Sequence, residues 1–148
     1  MFETGTGIAD ITAFKKGIGM MGYGMHFNTV EEVETPLSAR AFVIRDTSTQ
    51  KKIVFVNAEI AFITISIKSG VVKQLQDKYP QLGYTSDTVL LTAQHTHSAP
   101  GGYSHYPFYN FSIPGFVPEV YESIVNGIVE SVVRAESTLQ PARFYLST

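Results

Sequence analysis

The chain has no cysteine, which excludes disulfides, Cys-ligated zinc and thiol catalysis. It has no excess of positive charge either. Its 11 Lys and Arg stand against 13 Asp and Glu, for a net charge of -2, and no basic stripe marks a nucleic-acid footprint. Long apolar runs are missing too. Val89 to Ala93 and Ile60 to Ile63 fall far short of the ~20 residues that cross a membrane as a helix. The opening MFETGTGIAD has neither a basic nor an apolar leader region, so no signal peptide is expected within the chain. Internal repeats and low-complexity tracts are also absent. What remains is 148 residues, 44% hydrophobic and 16% charged, enough for one domain with a sizeable core.

The pattern along the chain alternates between two periods. Gly7 to Thr12 is strand-like and leads into a loop, Gly17 to Gly24, with four glycines in eight residues, a density that fits positive φ or close backbone approach. Arg40 to Arg45 reads as a strand, Asp46 to Gln50 as a turn, and Ile53 to Val56 as a second strand buried on both faces. Ile60, Ile63, Ile67, Val71, Leu75 and Tyr79 recur at three and four residues and predict one helical stripe, weakened by Gly70 and ended by Pro80. Thr88 to Ala93 predicts another buried strand. A loop from about Gln94 to Phe116 follows, and then a helix that Pro118 and Glu119 open and Pro141 stops. Ala142 to Ser147 reads as a final strand. This order predicts an α/β fold, a layered mixed sheet flanked by helices. The last strand runs straight into Thr148, which is expected of an incomplete part of a larger catalytic domain.

The chemistry concentrates in Thr92-Ala-Gln-His95-Thr-His97-Ser-Ala-Pro-Gly-Gly-Tyr103, just past the carboxyl end of a buried strand. Ligands of open α/β sheets bind at that edge. If the extended backbone continues, residues 95 and 97 point the same way, and two neighbouring imidazoles can share a divalent metal such as zinc. His-x-His by itself is a weak signal; two loop histidines bonded to backbone satisfy it equally. The glycine-rich loop is not a phosphate loop, because no Lys-Ser/Thr pair follows it. No serine has the surroundings of an activated nucleophile.

His95-Thr-His97-Ser-Ala-Pro-Gly-Gly-Tyr103 resembles the His-Thr-His-Ser-Gly-Pro-Gly-Gly segment of the neutral/alkaline ceramidases, with Ala99 in place of a glycine. Gly19-Met-Met-Gly-Tyr23, Ser38 to Val43, Ile53 to Asn57 and the closing Pro141 to Thr148 are similar to further family segments in the same order. The resemblance covers residues 1–148 and implies the N-terminal portion of a zinc-dependent amidase acting on ceramide or a related lipid amide. It implies that His95 is a Zn2+ ligand, that His97 is a catalytic and substrate-binding residue beside the metal, and that Gly22 is substrate-binding through its backbone. The family's other ligands, a histidine, a glutamate and a tyrosine, would come from downstream sequence, so this chain alone is expected to be inactive. A secreted, periplasmic or membrane-associated location, with contact to a membrane surface, is implied in the same way.

Several residues carry two readings. Tyr103, His105, Tyr106 and Tyr109 could line an acyl channel, but a loop packed down by its own aromatics is the favoured expectation. Glu59 either holds a ligand histidine or complements a helix N-terminus; Arg40 is read as structural and His26 as a surface residue. Three alternatives to the ceramidase reading stay open: a metal hydrolase of the same fold with a more polar substrate, a lipid- or glycan-binding domain without metal, and an inactive fragment.

Overall fold

The computed structural model describes residues 1–146. Five strands, β1 (Phe2–Asp10), β2 (Ser38–Asp46), β3 (Lys52–Ala58), β4 (Val89–Ala93) and β5 (Gln140–Ala142), form one sheet in the order β4-β3-β2-β1-β5. Only β3 and β4 run parallel, joined through α1 (Ile65–Lys78); the other pairs are antiparallel. The expected mixed α/β sheet is therefore present. The second helix, α2 (Pro118–Ser137), opens at Pro118, with Glu119 in its first turn.

The register places Ala39, Ala41 and Val43 opposite Ala58, Val56 and Val54. All six are buried and belong to one core with Ile67, Val71 and Leu75 of α1 and Ile124, Ile128 and Val132 of α2. Small residues dominate the β1 side of this face so that α2 can come close. A Cβ on Gly7 would overlap the Ser131 carbonyl oxygen, so only glycine fits there.

Four expectations are corrected. Ile53–Val56 is not buried on both faces: Val54 and Val56 are fully buried while Ile53 and Phe55 are 41% and 42% exposed. Both helices pack against the opposite side of the sheet, so the strand has a single core face and alternates. The first helix begins at Ile65, one turn later than the stripe suggested. Thr64 caps it, its hydroxyl accepting from Ile67 N at 3.1 Å, and Ile60 and Ile63 belong to the preceding connection. The second helix ends at Ser137, capped by Thr138, before Pro141 is reached; Pro141 lies in β5. Finally, β5 is only Gln140–Ala142. Residues 143–146 have no regular structure, although Phe144 packs edge-on against Phe2 at 5.2 Å; Ser147 lies outside the described residues.

Candidate active site

β4 ends at Ala93, paired with Ala58 of β3, and the chain then leaves the sheet at the carboxyl edge of the parallel pair. Gln94 N still bonds the Ala58 carbonyl at 2.9 Å. At His95 the extended backbone breaks, with φ at +65°, a left-handed conformation that few non-glycine residues adopt. The turn is held by Ile60, whose carbonyl accepts from both His95 N (3.1 Å) and Thr96 N (3.3 Å). His95 and His97 do face one another, their Nε2 atoms 3.3 Å apart and their rings 5.1 Å between centroids. The convergence arises from this turn rather than from strand alternation, which corrects the sequence expectation.

The glycine-rich loop completes the site. Met21 N donates to the Ala99 carbonyl (3.1 Å) and Gly101 N to the Gly19 carbonyl (2.9 Å), so the two loops are stitched together through their backbones. Ala99, where the family pattern has glycine, has no positive φ and buries its methyl group; the substitution brings no backbone strain. Gly22, at φ +96°, lies directly against His97. Next to it the Tyr23 ring stands perpendicular to the imidazole, 5.5 Å between centroids. Sequence reasoning missed Tyr23; its place after Gly22 in the Met-Gly-Tyr motif was the available signal.

The other candidates fall into place by contact. The Glu59 carboxylate accepts from Ser38 N (2.6 Å) and Arg40 Nη1 (2.7 Å). It therefore ties β2 to the end of β3 and neither touches a site histidine nor caps α1. A polar hollow of about 340 Å3, lined by Ser38, Arg40, Glu59, Gln94, Thr96 and Ser98, lies along this flank. Tyr103 is fully buried, its hydroxyl accepting from Phe62 N at 3.3 Å, and burial pushes its phenol up to about 12. It is a pillar under the loop rather than a channel wall. His105 rests against Phe116, 4.1 Å between ring centroids. Tyr106 and Tyr109 are half exposed, and Phe108 and Phe111 almost fully so, so the loop is packed down at its ends but not at its tip. His26 is exposed beside a hollow that Phe111 and Ser112 share.

Residues 2–148 match the family model described as neutral/alkaline non-lysosomal ceramidase, N-terminal. The chain belongs to the neutral/alkaline ceramidase family. It is similar to the neutral ceramidase of Pseudomonas aeruginosa, 40% identical over 144 residues, which are 97% of this chain and 21% of that protein. The neutral ceramidase of Mycobacterium tuberculosis is 38% identical over 99% of this chain and 23% of its own length. The crystal structure of the Pseudomonas aeruginosa neutral ceramidase superposes with a TM-score of 0.91 over 95% of this chain and 22% of that one. A second solved structure, described as ceramidase complexed with C2, gives 0.90. The chain thus spans about a fifth of the length of the ceramidases it matches.

An imidazole nitrogen is a donor that zinc accepts, so the chemistry of His95 fits such a metal, while His97, its Nε2 3.3 Å away, stands beside that position. Among the described residues no group of three or more His, Cys, Asp or Glu could hold a metal ion.

Proposed function

We propose that the full-length protein cleaves the amide bond of ceramide, releasing sphingosine and a fatty acid, and that this chain supplies His95 as a zinc ligand and His97 as the residue at the reacting carbonyl. The observation that carries this reading is the convergence of the two Nε2 atoms to 3.3 Å in a chain of ceramidase family membership. Zinc, when bound, lowers the pKa of water and polarises a carbonyl. His95 offers a ring nitrogen from a left-handed turn at the sheet edge. His97 stands beside it and donates a ring N–H to the amide oxygen as charge develops there. The exposed side chains of Met25 and Phe27 on the glycine-rich loop and of Phe108 and Phe111 on the loop after the histidines offer apolar surface that suits a lipid amide. The remaining ligands would come from the rest of the catalytic domain, and the same reading includes an exported or membrane-associated location.

The test is hydrolysis of a fluorescent ceramide by the full-length protein, with and without a zinc chelator, alongside His95→Asn. The expected outcome is cleavage that the chelator abolishes and zinc restores, with His95→Asn both inactive and depleted of zinc. A folded, zinc-loaded protein that leaves ceramide intact and cleaves small polar amides would replace this reading with that of a polar-substrate hydrolase.

A further inference from the structure

His97 is enclosed on three sides. His95 Nε2 lies 3.3 Å from its own Nε2. The Tyr23 ring stands perpendicular to it, the interplanar angle being 89°. On the third side is Gly22, where a Cβ would lie 2.6 Å from both Cε1 and Nδ1 of the imidazole. No side chain larger than hydrogen fits at Gly22 while His97 keeps this orientation.

The seat is itself anchored. Met21 N and Gly101 N tie the glycine-rich loop to the histidine loop, and Met20 pairs with Pro100 in an isolated bridge. The Ser112 hydroxyl donates to the Tyr23 carbonyl from a third segment. None of these ties passes through the imidazole, so the seat is built independently of the ring it holds. An imidazole needs such a seat because its second torsion is broad and is not fixed by rotamer preference. Perpendicular aromatic contact, the arrangement found here, is among the favoured ones.

We infer that Gly22 and Tyr23 are positioning residues that fix the ring of His97 for its work on the scissile amide. Gly22 is a glycine because of the imidazole beside it, and Tyr23 acts through its ring rather than its hydroxyl. The inference rests on the amidase reading for what His97 does, but not for how the ring is held.

The experiment uses the full-length protein and three variants, Tyr23→Ala, Tyr23→Phe and Gly22→Ala. Three quantities are read: kcat and KM on ceramide, zinc content, and the rate at which diethyl pyrocarbonate modifies His97, resolved from His95 by tandem mass spectrometry. Tyr23→Ala should lower kcat by about tenfold to 10²-fold, the scale set by misplacing a catalytic group by up to an ångström. KM and zinc content should hold and His97 modification should speed up several-fold. Tyr23→Phe should rescue both kcat and the modification rate, whereas Gly22→Ala should match or exceed Tyr23→Ala. If Gly22→Ala does not fold, the Tyr23 pair decides alone. Unchanged His97 modification in Tyr23→Ala overturns the inference, as does a rise in KM with kcat preserved, which would make these residues direct substrate contacts. Failure of the unaltered protein to cleave ceramide would instead sink the amidase reading, while the modification rates would still test the seat.

Discussion

His95 combines two demands that pull against each other. Its side chain is the proposed metal ligand, while its backbone occupies the left-handed region at φ +65°, which costs an L-residue roughly 1–2 kcal/mol. Glycine would relieve that strain and delete the ligand. His95→Gly is therefore expected to stabilise the metal-free protein by about 1 kcal/mol while abolishing zinc retention; urea midpoints in excess chelator, beside zinc analysis, measure both. Tyr103 poses a different question. Burial raises its phenol from the ordinary 10.0 to about 12, so folding favours the protonated form. That contribution is complete below pH 10 and is lost as pH rises through about 12. Tyr103→Phe should cost about 1 kcal/mol at pH 8, because the Phe62 N–H loses its acceptor. The difference from the parent should narrow above pH 10, which denaturation midpoints across pH 8 to 11.5 would show. The motifs marked His95, His97 and Gly22, and the structure sets His97 against both of the others; the roles proposed for them are what the ceramide and zinc assays test. The motif also held Tyr23, but not its partner: the perpendicular packing on His97 is made between two separate loops and no local pattern shows it.

At the scale of elements, caps and close approaches decide more than stripes do. Thr64 starts α1 through a single hydroxyl bond to Ile67 N; Thr64→Ala should cost about 1 kcal/mol and raise amide exchange in the first turn. Gly7 admits α2 to the sheet, so Gly7→Ala, whose Cβ would meet the Ser131 carbonyl, should cost about 1–3 kcal/mol by overpacking, seen as a lower thermal midpoint. The sequence showed the strands at 40–45 and 88–93 and the helix opening at Pro118 because local pattern alone dictates them. It misplaced the start of α1 because apolar Ile60 and Ile63 extend the helical period while lying in a connection. It overstated burial of β3 because Phe55 and Ile53 are apolar residues on the exposed face. Gly70, which reads as a weakness in α1, marks where the helices meet: the Tyr121 hydroxyl reaches the Ser66 carbonyl there at 2.9 Å.

For the molecule as a whole, the sheet has one face in the core and one without cover among the described residues. Ile8, Phe55 and Leu90 are each at least 42% exposed on that face, and Ile8 and Phe55 line a shallow hollow of about 420 Å3 with Thr6, Arg40, Phe42 and Asn57. This hollow includes neither site histidine nor Gly22, so its apolar lining speaks for packing rather than for the chemistry. Contiguous apolar area of this kind promotes association. The 148-residue chain expressed alone is therefore expected to self-associate with concentration in sedimentation experiments, and Phe55→Lys should suppress this without disturbing His95 or His97.

The carbonyl oxygen of Ile60 has one further implication. In a helix running from residue 60, that oxygen would be consumed by the amide of residue 64, four positions on. Because α1 waits until Ile65, the oxygen is left free and is spent on His95 N and Thr96 N. The geometry of the histidine turn is thus set by where a helix on the other side of the parallel pair declines to begin. Changes that coax α1 into one extra turn would unlatch His95 without touching it.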